Sequence, residues 1–265
     1  MTKVIAIANQ KGGVGKTTTT LIFGSELAER GNTVLMIDMD SQANLSIACG
    51  MSQPDEEYTI ADVLISVMNG DEVTADMMPI YPFKEGLMFM PSSVMLSNVN
   101  LMLVQAIARE YILKRVIAVI KERYDFDYIL IDCAPSLSVD LLNALTAADE
   151  VLIVSAPASF SAAGSGQLIK TINKISENIN PDLKICGVLF NRVNERTTFA
   201  RDIIAKMREA WEDQIFVFDQ QIAGSIRVDE SQAMGVSVAD YDRKNRVAKD
   251  FSSFTEEYLT EVQKK

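Results

Sequence analysis

Three glycines, Gly12, Gly13 and Gly15, lie between the apolar run VIAIA at residues 4–8 and a long stretch of helix-forming residues that begins at Lys16. A strand that turns through such a loop directly into a helix is the arrangement of a phosphate cradle in an α/β fold. Glycine is needed there because a Cβ would obstruct either the positive φ angles or the approach of backbone N–H groups to an anion. Lys16 then stands where it can reach β- and γ-phosphates, and the Thr17 hydroxyl where it can ligate Mg²⁺. The loop departs from the usual G-x-x-x-x-G-K-[ST] pattern in its first half. Gln10 occupies the position of the first glycine, and a second lysine, Lys11, follows it.

The rest of the chain alternates short apolar runs with amphipathic stretches, as βα units around a mainly parallel sheet do. Strands are expected at 4–8, 33–38, 87–90, 128–132, 151–155 and 183–191, with a weaker one at 215–218. Helices are expected at 16–30, 60–68, 100–122, 138–147, 162–177, 198–211 and 246–262. No linker or repeat divides residues 1–265, so the expectation is a single α/β domain, a mainly parallel central sheet with helices on both faces.

Two further segments carry acids. In VLMIDMDSQANL, alternation at a strand end places Asp38 and Asp40 on one side, near the carboxyl end where α/β folds hold ligands. Two carboxylates beside a triphosphate repel it unless a cation or water intervenes, so one suits the metal shell and the other an attacking water. In YILIDCAPS an apolar strand ends in Asp132, the usual place of a Walker B acid that holds Mg²⁺. Cys133 beside it has no neighbouring cysteine and reads as a packed side chain.

The absence of histidine among 265 residues excludes His-activated nucleophiles and His-ligated metals. Cys49, Cys133 and Cys186 lack metal-ligand or disulfide spacing, which points to free thiols in a reducing compartment. No apolar run reaches the length of a signal peptide or membrane span, so a cytoplasmic location is expected. The net charge of −11 disfavours nucleic acid and anionic lipid on average, so any contact with either needs a local patch. From Arg30 to Lys84 no basic residue intervenes, while nine acids do, including Asp55 and Glu56. By contrast, 192–208 holds five bases against Glu195 and Asp202, and Arg243, Lys244, Arg246 and Lys249 cluster near the end. DNA, if bound, would bind there; ordinary solvated helix faces are the other reading.

KGGVGKTT, IDMDSQANL and YILIDCAPSLSVDLLNALTAADEVLIV together resemble the deviant Walker A ATPases, specifically the ParA-type, Soj-like partition ATPases. GVLFNRVNERT and IRVDESQAMGVSVADYDRKNRVAKDF extend the likeness over most of the chain. The resemblance implies ATP and Mg²⁺, an ATP-sandwich homodimer, nonspecific DNA binding with nucleoid association, and a ParB-like centromere-binding partner that stimulates hydrolysis. In that pattern Lys11 reaches the partner subunit's phosphates. Gly12, Gly13, Val14, Gly15, Lys16, Thr17 and Thr18 match the cradle. Asp40 matches the acid that positions the hydrolytic water, Asp38 a metal-shell acid, and Asp132 the Walker B acid. Asn191 matches the residue at the adenine edge, and Arg227 a DNA-contacting arginine; a strand-closing turn and a salt-bridged surface arginine are their other readings. Arg192, Arg196, Arg243 and Lys244 complete the candidate DNA contacts.

The chain also departs from the family pattern. Ser41 and Ala43 replace the usual proline and glycine, QIAGSIR lacks the proline and arginine that often follow that isoleucine, and SFSAAGSGQLI has alanines where many relatives have a leucine and a glutamate. A MinD-like membrane switch is the alternative from another class, but the final FSSFTEEYLTEVQKK is acidic until its last two residues, unlike a membrane-binding basic helix. Metallocluster carriers need paired cysteines that are missing here, and a nucleotide-bound assembly switch would differ only in its turnover.

Overall fold

The apolar run after Met1 becomes the centre of the molecule. In the computed structural model, which describes all residues except 54–56, 158–161, 195, 212–214 and 264–265, and the side chains of 162–165 and 262–263, eight strands form one sheet. They are β1 (Lys3–Ala8), β2 (Val34–Met39), β3 (Tyr81–Lys84), β4 (Leu87–Met90), β5 (Tyr128–Cys133), β6 (Glu150–Ser155), β7 (Lys184–Val193) and β8 (Val217–Ala223). Their order is β3-β4-β2-β5-β1-β6-β7-β8, and every pairing is parallel except β3 with β4. Strands covered on both faces read as unbroken apolar runs rather than alternating ones. Accordingly Val4 to Ala8 and Val34 to Ile37 are wholly buried.

Two layers of helix supply the cover. One layer holds α3 (Ile60–Asn69), α4 (Met95–Leu103), α5 (Ile112–Arg123), α6 (Val139–Ala147) and α7 (Ala162–Asn178). The other holds α1 (Lys16–Glu29), α2 (Asn44–Ala48), α9 (Ile226–Ala233), α10 (Val238–Tyr241) and α11 (Arg246–Gln263); α8 (Thr198–Trp211) packs on β7. Helix α1 is almost entirely buried although it opens KTTTT, an unfavourable run for a helix. Its hydroxyls are satisfied internally, Thr19 Oγ1 on the Gly15 carbonyl at 2.8 Å and Thr20 Oγ1 on the Lys16 carbonyl at 3.1 Å. Phe23 then packs against Phe254 and Tyr258 of α11, with ring centroids 5.2 and 5.1 Å apart. Each such pair adds about 1 kcal/mol beyond area burial, which fixes α1 and therefore the loop before it.

Several expected elements differ. The helix expected at 100–122 is two helices, because the chain turns through Ala108 in the left-handed region (φ 52°) before α5. The buried Asn143 of α6 enforces the break, donating Nδ2 to the Arg109 carbonyl at 2.8 Å and accepting from Leu113 N at 3.1 Å. Strand β3 was not expected, since Pro82 is tolerated only at a sheet edge. The weak strand at 215–218 runs instead from Val217 to Ala223. Its polar residues hide it, and the Glu257 carboxylate of α11 caps two of its amides, Asp219 N at 2.7 Å and Gln220 N at 2.9 Å. Helices α2, α9 and α10 are additional. Asp55, Glu56, Glu195 and the first residues of the SFSAAGSGQLI segment lie outside the described residues. Among the described residues no helix is long and apolar enough to cross a membrane.

Candidate nucleotide site

The carboxyl ends of β1, β2, β5 and β7 converge on the glycine-rich loop. Asn9 anchors that loop, donating Nδ2 to the Val154 carbonyl at 2.6 Å and accepting from Lys11 N at 3.0 Å. Gly13 and Gly15 take positive φ angles of 74° and 91°. A Cβ on Gly15 would collide with Asn191 Nδ2, so Gly15→Ala is expected to expel the Asn191 amide, destabilise the chain by about 2 kcal/mol and abolish tight nucleotide binding. Thermal unfolding and a nucleotide titration check this.

Beside the loop a cleft of about 480 Å³ is lined by Gly12, Gly13, Gly15, Lys16, Thr17, Thr18 and Asp40. Residues that sequence reading missed also line it, Gln42, Asn44, Asp229 and Gln232, and so does Arg192, which the sequence offers as a DNA contact. Gln232 Nε2 donates to Thr18 Oγ1 at 3.2 Å, bringing α9 against the loop. No spacing in the sequence announces that contact, because α9 itself has a weak pattern. Val14 is buried beneath the loop, whereas Lys11 is exposed. The Lys16 ammonium is buried and rests on the Lys11 carbonyl at 3.2 Å. Burial lowers its pKa, opposed chiefly by Asp132.

The three acids differ in their surroundings. Asp40 lines the cleft and accepts from Gln42 N at 3.0 Å. Asp38 does not line it: both its oxygens are engaged, Oδ1 by Asp40 N at 3.1 Å and Oδ2 by Ser46 N and Oγ at 3.0 and 2.7 Å. It thereby ties the segment after β2 to the sheet. Between Asp38 and α2, Ala43 takes φ 51° with no glycine to ease it. Asp132 pairs in register with Asp38 across β2 and β5. It is 1% exposed, accepts from Thr20 Oγ1 at 3.4 Å through Oδ1, and leaves Oδ2 without a partner. An orphaned carboxylate oxygen among Lys16, Thr17 and Asp40 fits Mg²⁺ held through water. Among the described residues no three His, Cys, Asp or Glu side chains form a metal cage.

Burial, with the Asp38 charge adding, pushes Asp132 up to about 8, while Thr17 and Lys16 oppose. Burial likewise raises Asp38 to about 6 against its hydrogen bonds from Ser46 and Asp40. Both carboxyls bind protons more tightly folded than unfolded, where a carboxyl titrates near about 4. The folded chain therefore holds more protons across that window, and stability is greatest at its acid end and falls as pH rises. Without nucleotide and Mg²⁺, the melting temperature is expected to fall between about pH 6 and 8, and Asp132→Asn to flatten that slope. A wild-type melting temperature that rises over this range would contradict the assignment. Burial pushes the Cys133 thiol well up, so it is a packed side chain and not a nucleophile.

A second cavity, of about 400 Å³, adjoins the loop and is lined by Gly15, Thr18, Asn191, Gly224, Ile226, Val247 and Phe251, among others. Asn191 is buried, with Nδ2 3.3 Å from both the Gly15 carbonyl and Thr19 Oγ1. The basic residues separate. Arg192, at φ 55°, donates to the Gly13 carbonyl at 3.1 Å, and with Arg196 and Arg246 lines a groove of about 590 Å³. Arg227 is paired with Glu230 at 2.7 Å, and Arg243 with Glu29 at 2.9 Å at the end of α1. Lys244 is exposed.

A family model described as an AAA domain matches residues 2–185. The chain is 35% identical over 259 residues to the sporulation initiation inhibitor protein Soj of Bacillus subtilis, covering 97% of this chain and 98% of that protein. It is 37% identical over 242 residues to the chromosome partitioning protein ParA of Caulobacter vibrioides, covering 91% and 88%. Among solved structures, cobyrinic acid a,c-diamide synthase from Mycobacterium smegmatis with a bound ATP analogue and magnesium superposes with a TM-score of 0.83 at 32% identity, covering 99% and 96%.

Proposed function

Because the chain belongs to the ParA-type P-loop ATPases and so hydrolyses ATP with Mg²⁺, we propose that it works in DNA partition. ATP closes two copies into a sandwich dimer, the dimer binds DNA nonspecifically on the nucleoid, and a ParB-like centromere-binding partner stimulates hydrolysis and release. The observation that carries this reading is the loop itself. Lys16 is buried in the cleft, while Lys11, five residues earlier, is exposed and engages no carboxylate among the described residues. A second cation presented outward beside a phosphate cradle suits the triphosphate of a facing copy.

Within one copy, the loop amides and Lys16 hold the phosphates and Asp40 orients the attacking water. Thr17 and Asp132 hold the metal, and Asp38 supports that shell by fixing the segment that carries Asp40. Magnesium, when bound, neutralises phosphate charge. Phosphoryl transfer needs positioning and charge stabilisation rather than a covalent intermediate, so the missing histidine and the inert cysteine are no obstacle. Asn191, on the wall of the second cavity, is the residue assigned to the adenine edge in this reading. Of the candidate DNA contacts, Arg192 and Arg196 share a groove, whereas Arg227 and Arg243 would have to leave Glu230 and Glu29.

DNA co-sedimentation with ATP, ADP and no nucleotide at two salt concentrations tests the proposal. Binding is expected with ATP alone, and to weaken steeply with salt, because an acidic chain must rely on a few phosphate contacts doubled by dimerisation. Tight binding by the nucleotide-free chain at both salt concentrations would overturn it.

A further inference from the structure

The phosphate cleft and the second cavity share a wall: Gly15, Thr18, Arg192 and Asp229 line both. A nucleotide with its phosphates in one space and its base in the other must cross that boundary with its sugar. Two of the four side chains are already engaged, Thr18 Oγ1 by Gln232 Nε2 at 3.2 Å and Arg192 Nη1 on the Gly13 carbonyl at 3.1 Å. Gly15 has no side chain to offer. Asp229 is exposed, and no donor engages its carboxylate among the described residues. It lies in the first turn of α9, where an acid suits the positive end of a helix dipole. That role accounts for the residue type but not for its place on both walls, and Arg227 of the same turn lines neither cavity.

We propose that Asp229 accepts hydrogen bonds from the 2′- and 3′-hydroxyls of the bound ATP and so makes the site select ribose over deoxyribose. A carboxylate beside a triphosphate repels it, so an unengaged one at this boundary calls for donors on the ligand. The vicinal hydroxyls of ribose are the donors that a nucleotide carries between its base and its phosphates, and a carboxylate can accept from both at once. Acids read ribose hydroxyls in the same way in dinucleotide-binding α/β folds. Gln232, three residues further along α9, holds that helix against Thr18 and thereby keeps Asp229 at the boundary. Because the carboxylate is open to water, the preference it confers is modest. The assignment rests on the placement of base and phosphates proposed above, and needs neither the dimer nor DNA.

The test is calorimetric titration of the full chain, with Mg²⁺ present throughout, by ATP and by 2′,3′-dideoxy-ATP, which lacks both hydroxyls. The wild type is expected to bind ATP about tenfold more tightly. Asp229→Ala is expected to bring the two nucleotides within about twofold of each other, chiefly by weakening ATP. Any effect of the lost charge on the phosphates or the metal acts on both ligands alike, so the ratio isolates the hydroxyl contacts. Asp229→Asn, whose amide oxygen still accepts but without charge, is expected to keep part of the preference. Asn191→Ala is expected to weaken both nucleotides and to leave the ratio as it is. An undiminished preference in Asp229→Ala would overturn the proposal, and so would a variant whose melting temperature shifts while its ratio stays at the wild-type value, which is the pattern of a helix-dipole role alone. A wild-type chain that binds neither nucleotide would overturn the site as a whole, whereas one that binds both equally would overturn this assignment alone.

Discussion

Replacing Lys16 by alanine is expected to weaken ATP binding by about a hundredfold or more and to leave the fold intact. The ammonium is buried at the base of the phosphate cleft, held by the Lys11 carbonyl and facing Asp132. Each charge-assisted hydrogen bond that it gives a phosphate contributes about 1.5–3 kcal/mol, and a group placed between two phosphates gives two. Loss of both converts to roughly two or more orders of magnitude in the dissociation constant. Loss of the charge also removes a cation whose own burial is unfavourable, so the variant keeps its melting temperature without nucleotide. Calorimetric titration with ATP and Mg²⁺, beside a thermal scan of the free chain, measures both. A Lys16→Ala chain that binds ATP as wild type does would remove the basis for assigning the cleft.

Asp40→Ala is expected to lower hydrolysis by about 10²–10⁴-fold while ATP binding changes little, the pattern of a group that orients a water or takes its proton. Asp40 is suited to this because it is the one of the three acids that lines the phosphate cleft with its carboxylate only partly engaged. Asp38 is fully engaged by Ser46 and Asp40, and Asp132 is buried beneath Lys16 and Thr17. Asp38→Ala should therefore behave differently, loosening the segment that leads into α2 and reducing stability as well as turnover. Single-turnover phosphate release with a parallel binding isotherm distinguishes the two. Equal loss of binding and hydrolysis in Asp40→Ala would place that residue among the ground-state contacts instead.

The parts of this site that were legible in the sequence are those where backbone conformation dictates residue type. Gly13 and Gly15 must take positive φ, β1 and β5 must be apolar throughout, and acids must follow at the strand ends. What was illegible depends on contacts distant in the chain. Asn143 breaks the helix expected at 100–122, and nothing local to that stretch signals it. Glu257 makes a strand of the polar DQQ segment by capping its amides. Ser46 engages Asp38 across an intervening turn, which alternation along β2 cannot foresee, since it places Asp38 and Asp40 on one side but not in one cavity. Charge counting found basic residues near 192–208 and 243–249 but not their partners, so the pairing of Arg243 with Glu29 emerges only from the fold.

The claim on which the rest depends is that one copy's outward lysine completes the other copy's nucleotide site. Its most direct measurement is the solution mass, with ATP and Mg²⁺, of Asp40→Ala and of the same chain also carrying Lys11→Ala. The account predicts a dimer for the first and a monomer for the second, with ATP still bound to both; a dimer that persists without Lys11 would contradict it.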